Sequence, residues 1–382
     1  MSVAKLITQN FRNLHGASID FHPKLNFFIG DNGSGKSSLL EALFFLGHGK
    51  SFRTSKVDTL ASHETKGFVV SVKDSQDCQL GLSRDISSGL TLIKIDGQRQ
   101  SKLSVLAKNI AVQIVTPESF KLFFGGPKER RRFIDLGMFH VKHDFSNQWK
   151  NFNRVLKQRN ACIRLGALSQ RSDNDSMLSY WTEQFCQLSI DVSNLRAGYV
   201  SEIIQELNSW LAILLPSINQ RVTVQYLQGW PQKNSLINTL DSHKDREASF
   251  GYSLYGAHKF DVKFLLDKKA IETQLSRGQQ KLFLLALTFA QASFIARVKL
   301  VKPILLIDDI GAELDNNSRT ALSTAINKLD CQVIITAIES SVLQPFIGSC
   351  DDRKYSMFHV KHGKVSEKYP DDSEFNKSEK AM

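Results

Sequence analysis

Residues 25–46 constrain the fold more than any other stretch, because they join a strand pattern, a glycine-rich loop and a helix pattern without interruption. The apolar residues 25–29 predict a short buried strand, and those of 39–44 recur with helical spacing. Between them, GDNGSGKS at 30–37 has the spacing G-x-x-x-x-G-K-[ST] of a phosphate-binding loop. The alternative, a glycine turn before an amphipathic helix, leaves the lysine and serine at their motif positions unexplained.

The chemistry of this loop predicts that it binds a nucleoside triphosphate. Glycines let backbone N–H groups close around phosphate oxygens, and the helix N-terminus adds partial positive charge. Lys36 is expected to reach the β- and γ-phosphates, and the Ser37 hydroxyl is expected to ligate Mg²⁺. The nucleotide-binding residues predicted in the loop are Gly30, Asp31, Asn32, Gly33, Ser34, Gly35, Lys36, Ser37 and Ser38.

The composition predicts a globular, basic, intracellular protein. A net charge of +11 suits a polyanionic partner without identifying one. Five scattered cysteines without a C-x-x-C pair favour reduced thiols over disulfides or a zinc site. The N-terminus lacks the apolar core of a signal peptide, and polar residues interrupt the apolar stretch 282–298, which we expect to be a core helix. These features predict a cytoplasmic protein without a membrane span.

The order of patterns along the chain predicts two lobes. Residues 66–100 are typical of antiparallel strands with a turn at Asp96-Gly97, and Gly125-Gly126-Pro127 ends that part of the chain. From 145 to 214 the apolar residues recur at the spacing of a coiled-coil seam, which predicts an antiparallel helical hairpin. The hairpin could be a protruding arm or ordinary packed helices. Strand patterns return from Val222, and the last residues, 367–382, are charged and expected to be flexible.

Three further motifs accompany the loop. A buried strand pattern ends in Asp308-Asp309 and resembles a Walker B motif, in which Asp308 holds Mg²⁺ and Asp309 polarises the attacking water. Residues 275–279 (LSRGQ) match the L-S-x-G-Q signature of ABC-type ATPases, and 311–315 match their D-loop. The resemblance implies that Leu275, Ser276, Gly278 and Gln279 act on ATP bound by a second copy of the chain, with Asp315 in the D-loop.

The flanks of these motifs resemble the bacterial RecF family of recombination proteins over nearly the whole chain. The resemblance rests on residues 10–14, 31–38, 50–54, 116–118, 126–127 and 131–135. It adds Arg12 and Asn13 to the expected nucleotide-binding residues. The expected fold is α/β, an ABC-type ATPase head related to chromosome-maintenance proteins, with a mixed phosphate-loop sheet, an antiparallel β segment and an inserted α-helical lobe. The expected boundaries are 1–124 and 221–366 for the ATPase lobe, 125–220 for the helical lobe and 367–382 for the tail.

The resemblance also implies a function. RecF-like proteins dimerise on DNA with ATP and Mg²⁺, hydrolyse ATP slowly with DNA stimulation, and help RecO and RecR load RecA at single-strand gaps. Replication recovery and SOS induction depend on this activity. Departures from other ABC-type heads, such as Thr336-Ala337 where transporters have a switch histidine and Pro117-Glu118 where many heads have a glutamine, favour slow hydrolysis.

Two other functions remain open at this point: the ATPase subunit of a transporter, and a purely structural chromosome protein. The interval from Lys36 to Leu275 is about twice as long as in transporter subunits, which counts against the first. The basic cluster Lys128, Arg130, Arg131 and Arg132 is the candidate DNA-binding surface, for either single-stranded, gapped or double-stranded DNA. A solvated helix face is the alternative interpretation of that cluster.

Overall fold

The computed structural model describes residues 2–14, 16–102, 104–142, 144–168, 172–299, 302–311, 314–348 and 355–367. The predicted flexible tail, from residue 368 onward, and residues 312–313 of the predicted D-loop lie outside these ranges. The chain forms two compact units, one of residues 1–119 with 277–382 and one of residues 120–276.

The chain contains both strands and helices. The strands are β1 (Val3–Gln9), β2 (Ala17–Asp20), β3 (Leu25–Ile29), β4 (Gly67–Asp74), β5 (Gln79–Asp85), β6 (Thr91–Ile95), β7 (Gln98–Gln100), β8 (Val112–Val115), β9 (Val222–Leu227), β10 (Asp261–Leu266), β11 (Lys269–Ala270), β12 (Ile304–Ile307), β13 (Gln332–Ala337), β14 (Tyr355–Lys361) and β15 (Lys364–Glu367). The helices are α1 (Lys36–His48), α2 (Ser104–Asn109), α3 (Lys121–Phe124), α4 (Pro127–Val141), α5 (Phe145–Leu168), α6 (Ser172–Leu214), α7 (Leu236–Asp241), α8 (Lys244–Phe250), α9 (Arg277–Lys299), α10 (Asn316–Lys328) and α11 (Gln344–Ile347).

The first unit contains a six-stranded sheet in the order β15-β14-β3-β13-β12-β8. All neighbours in it are parallel except the β14–β15 hairpin. Every residue of β3, β12 and β13 is buried, as expected for parallel strands covered on both faces. Strand β3 lies between β14 and β13, so the loop that follows it starts inside the sheet rather than at its edge.

A second sheet in this unit is antiparallel, in the order β2-β1-β4-β5-β6-β7. It confirms the antiparallel strands predicted for 66–100, including the turn at Asp96-Gly97. Helix α1 contacts β4 of this sheet and β8 and β13 of the parallel sheet. Eleven of its thirteen residues are therefore buried, although the sequence predicted one apolar face.

The second unit is built on the predicted hairpin of α5 and α6, which pack against each other. It also contains a three-stranded antiparallel sheet in the order β11-β10-β9. Helix α5 contacts α8, and α6 contacts β9, so both helices of the hairpin are packed along part of their length. The expected boundary at residue 220 therefore differs from the structure, because residues 221–276 belong to this unit and not to the first.

Two buried arginines explain why residues 221–276 stay with the helices. Arg159 of α5 donates hydrogen bonds to Glu247 at 2.6 Å and to Ser253 at 2.6 Å, and Glu247 is almost wholly buried. Arg196 of α6 is wholly buried and donates to the carbonyl of Ala257 at 2.6 Å. A buried guanidinium needs partners for its charge and donors. The 247–257 segment supplies the carboxylate for Arg159 and a carbonyl for Arg196, whose carboxylate partner is Asp135 of α4. Strand periodicity alone could not reveal this, because it does not say which sheet a strand joins.

Helix α9 is long and apolar enough to cross a membrane by length and composition. However, 78% of its most apolar stretch is buried inside the protein. This agrees with the core helix predicted for residues 282–298. It is the only helix of this kind among the described residues.

Candidate nucleotide-binding site

The predicted phosphate loop connects the carboxyl end of β3 to the start of α1, where it borders a cavity of about 700 Å³. Ten predicted site residues line this cavity: Arg12, Asn13, Asn32, Gly33, Gly35, Lys36, Ser37, Ser38, Asp308 and Asp309. The cavity therefore collects residues that are up to about 300 positions apart in the chain. Arg53 adds a third basic side chain to Arg12 and Lys36. This combination of basic groups, backbone loop and paired carboxylates suits a metal-bound polyphosphate.

Lys36 lies inside the curve of the loop. Its ammonium donates hydrogen bonds to the carbonyl oxygens of Gly30 and, at 2.9 Å, of Asp31. Its side chain is largely buried, and this burial lowers its pKa, although nearby carboxylates, Asp308 foremost, oppose the shift. The ammonium is thus held at the centre of the loop, in the place where a lysine can reach phosphate oxygens.

The two predicted Mg²⁺ ligands are in direct contact. The Ser37 hydroxyl lies 3.0 Å and 3.2 Å from the two carboxylate oxygens of Asp308. Both are hard oxygen donors, which Mg²⁺ prefers, and Mg²⁺ commonly completes its shell with water and substrate phosphates. No group of three or more His, Cys, Asp or Glu side chains suited to a metal occurs among the described residues. The pair therefore fits Mg²⁺ held together with a nucleotide better than a metal bound by protein alone.

Thr336 forms hydrogen bonds with both Asp308 and Asp309 and was not predicted as a site residue. Its hydroxyl donates to Asp308 at 2.7 Å and accepts the backbone N–H of Asp309 at 2.9 Å. Lys281 of α9 donates to the carbonyl of Asp309 at 2.8 Å. Asp309 adopts φ 52°, in the left-handed region. The strand therefore ends in a sharp, anchored turn that presents Asp309 to the cavity.

Asn13 and Arg12 support the loop from the segment after β1. The Asn13 side chain donates to the carbonyl of Gly33 at 3.2 Å and accepts the Ser38 hydroxyl at 2.8 Å. Arg12 makes two hydrogen bonds of 2.9 Å to the carboxylate of Glu41, which is wholly buried in α1. Sequence reasoning missed Glu41, although a single acidic residue in an otherwise apolar helix is a signal that it needs a cation.

The remaining predicted residues have different surroundings. Ser276 is exposed, and Gly278 and Gln279 lie in the first turn of α9 and do not line the cavity. Asp315 caps α10 by accepting the N–H of Ser318 at 2.7 Å, and this hydrogen bond lowers its pKa. Leu275 is buried.

The four predicted DNA-binding residues lie in α4 and are not equivalent. Arg130 makes two hydrogen bonds of 2.8 Å to Asp261, and these raise its pKa. Arg131 donates to the carbonyl of Phe260 at 3.0 Å, and burial lowers its pKa. Lys128 and Arg132 are exposed. Arg130 therefore serves the packing of its unit, which neither interpretation of the cluster anticipated.

Comparisons with known proteins show the family of the chain. The family described as RecF/RecN/SMC N terminal domain matches residues 2–366. The DNA replication and repair protein RecF of Colwellia psychrerythraea is 68% identical over 96% of this chain and 97% of its own length. The protein of the same name from Pseudoalteromonas translucida is 37% identical over 96% and 99%.

Solved structures show the same fold. A structure of the recombination mediator protein RecF with ATP superposes with a TM-score of 0.82 at 22% identity, over 96% of this chain and 98% of that one. The Smc head domain of Pyrococcus furiosus superposes with a TM-score of 0.55 at 18% identity over the full length of both chains. The chain has the fold of an ABC-type ATPase head and belongs to the RecF family.

Proposed function

We propose that this protein is an ATP-dependent DNA-binding protein of recombinational gap repair. The observation that carries the proposal is the contact between Ser37 and Asp308 beside the buried ammonium of Lys36. This is the arrangement that a triphosphate with its metal needs. The name of the RecF relatives, DNA replication and repair protein, supplies the biological setting.

The residues of the cavity have different roles in ATP hydrolysis. The loop amides and Lys36 bind the triphosphate, Asn13 holds the loop through the carbonyl of Gly33, and Arg12 holds α1 through Glu41. Ser37 and Asp308 would hold Mg²⁺, which when bound neutralises charge on the phosphate oxygens. Asp309 accepts a hydrogen bond from the attacking water and orients it toward the γ-phosphate. Because Thr336-Ala337, at the end of β13, stands where transporters have a switch histidine, hydrolysis is slow and ATP serves mainly as a dimerisation switch.

The protein dimerises through ATP. Ser276 is exposed directly before α9, and Gly278 and Gln279 lie outside the lining of the cavity. We infer that these signature residues meet a nucleotide held by a second copy, because none of them lines the cavity of its own chain. The hydroxyl of Ser276 and the N–H groups of the first turn of α9 would meet its γ-phosphate.

DNA and the other repair proteins are the proposed partners. The surplus of +11 charges favours a polyanion, and DNA stimulates hydrolysis by promoting the dimer. With RecO and RecR, the protein helps RecA to load at single-strand gaps, supports replication recovery and SOS induction, and acts in the cytoplasm. In α4, Lys128 and Arg132 are the remaining candidates for phosphate contacts, because both side chains are exposed.

Gel filtration with and without ATP and a gapped duplex tests the proposal, because only the combination of ATP and DNA should convert the protein fully to a dimer. A mixing experiment tests the shared site. Ser276→Arg and Lys36→Ala should each be inactive alone, yet their mixture should recover some hydrolysis. In a mixed dimer, one site has both defects and the other has neither. A Ser276→Arg protein that dimerises and hydrolyses ATP normally would refute the two-headed mechanism.

A purely structural chromosome protein is the competing function. Its turnover would be indifferent to DNA and to RecO and RecR. A measured rate that does not change when gapped DNA and these proteins are added would therefore favour that function over ours.

A further inference from the structure

The turn between β14 and β15, residues His362-Gly363, lies against the phosphate loop. The N–H of Gly363 donates a hydrogen bond of 2.7 Å to the carbonyl of Ser34. A Cβ atom built on Gly363 would lie far closer than 3.0 Å to the carbonyl oxygen of Asn13, a separation that real Cβ atoms essentially never show. The same hairpin reaches the start of the loop, because a Cβ on Gly30 would collide with the carbonyl of Val360. The hairpin therefore touches the loop and its support at three points.

Glycine at position 363 could be required by the positive φ or by the close approach of neighbouring atoms. A second hairpin of the same unit distinguishes these two reasons. His362 and Gly363 have φ 49° and 75°, and Asp96 and Gly97, between β6 and β7, have φ 48° and 78°. Both pairs have positive φ at both central residues, as a type I′ turn requires. Gly97, however, has no atom within 4 Å of a built Cβ. The two turns share their backbone conformation and differ in what surrounds them.

The hydrogen bond to the Ser34 carbonyl also affects the N–H of Gly35, which belongs to the same peptide group. In a planar trans peptide, the C=O of one residue and the N–H of the next point in opposite directions. Fixing the carbonyl of Ser34 therefore fixes the direction of the Gly35 N–H. Gly35 lines the cavity, and its N–H belongs to the loop that surrounds phosphate.

We propose that the 362–363 turn is a support that holds the phosphate loop in its nucleotide-binding conformation, with Gly363 as a positioning residue. The proposal rests on the proposed binding of ATP by this loop. Gly363 does not line the cavity. It acts through Ser34 and Asn13, and only a residue without a side chain can approach them this closely.

Four variants test whether close approach, and not backbone conformation alone, is required: Gly363→Ala, Gly363→Asn, Gly97→Ala and Gly97→Asn. Asparagine adopts positive φ more readily than alanine does, yet both carry a Cβ. The affinity for ATP, measured by calorimetric titration, should fall by at least about tenfold in both Gly363 variants, because small displacements of a binding group are costly. The two Gly97 variants should bind as the unaltered protein does.

The possible outcomes test the proposed support and the proposed function separately. Unaltered affinity in Gly363→Asn with reduced affinity in Gly363→Ala would mean that only the backbone conformation matters, and it would overturn the support. Equal losses in the Gly363 and Gly97 variants would overturn it as well. Failure of the unaltered protein to bind ATP would instead refute the proposed function.

Hydrogen exchange on the unaltered chain provides a test that needs no variant. Because coupling between two sites is reciprocal, a nucleotide that orders the loop must also strengthen the hydrogen bond that Gly363 donates. Saturating ATP should slow exchange of the Gly363 amide at least about tenfold and leave the Gly97 amide unchanged. An unchanged rate at Gly363 would overturn the proposal, even if its variants do not fold.

Discussion

Replacing Lys36 by methionine should abolish tight ATP binding and leave the fold nearly as stable as before. The ammonium already donates two hydrogen bonds to loop carbonyls, so it can offer two to phosphate oxygens. A hydrogen bond to a charged group contributes about 1.5–3 kcal/mol. Two such bonds amount to about 3–6 kcal/mol, or roughly 10²–10⁴ in the dissociation constant.

The free energy of unfolding should respond differently. Burial lowers the pKa of Lys36, which means that the charged form is disfavoured where it lies. Methionine loses two hydrogen bonds but removes this desolvation cost, so we expect a net change within about 1 kcal/mol. Stability is therefore measured by chemical denaturation without nucleotide, beside the ATP titration.

Lys24→Met is the matched control. The ammonium of Lys24 also donates a hydrogen bond to a backbone carbonyl, that of Asn327 at 3.0 Å, but Lys24 does not line the cavity. This substitution removes the same charge and should leave ATP affinity unchanged. The reasoning is refuted if Lys36→Met binds ATP within about threefold of the unaltered protein. It is equally refuted if the variant unfolds so readily that lost binding only reflects lost structure.

Three further predictions concern catalysis, DNA binding and pH. Asp309→Asn should keep ATP binding and slow single-turnover hydrolysis by about 10²–10⁴-fold, because asparagine tolerates the φ of 52° but cannot polarise water; an unchanged rate would move this role to another residue. Arg132→Ala should reduce the salt dependence of DNA affinity by about one unit of slope. Arg130→Ala should leave that slope unchanged and destabilise its unit by about 3–5 kcal/mol, because it leaves Asp261 buried without its partner; the reverse pattern would show that Arg130 meets DNA. Burial lowers the pKa of His258 from 6.5 to about 4, so the unfolded chain binds a proton that the folded chain does not, and stability should fall by up to about 3 kcal/mol between pH 6.5 and pH 4. A His258→Gln variant with the same pH profile of urea denaturation would exclude His258 as the cause.

Motifs with a fixed chemical spacing could be predicted from the sequence. The phosphate loop and the strand ending in Asp308-Asp309 were predicted by residue type and order, and the structure places Ser37 beside Asp308. The antiparallel strands of 66–100 and the helical hairpin were also predicted, because hydrophobic periodicity reports local structure.

Contacts between distant segments could not be predicted in this way. The role of Thr336 depends on two strands lying side by side, and that of Glu41 depends on a backbone turn at Arg12. The sequence predicts that the basic cluster in α4 forms one surface. In the structure, however, Arg130 is hydrogen-bonded to Asp261, about 130 residues further along the chain. The boundary at 220 was placed wrongly for the same reason, because buried arginines and not strand patterns decide where 221–276 belong.

The position of β3 between β13 and β14 has a consequence for how the protein is made. Leu25 pairs with Val333 on one side and with Tyr355 on the other, so both neighbours of the nucleotide strand are encoded more than roughly 300 residues later. Synthesis at about 5–20 residues per second separates these segments by on the order of tens of seconds. During that time, the apolar residues of β3 have no sheet to join on the ribosome. The phosphate loop can therefore form only after nearly the whole chain has emerged, and nascent chains that stop before β14 should not be retained on immobilised ATP.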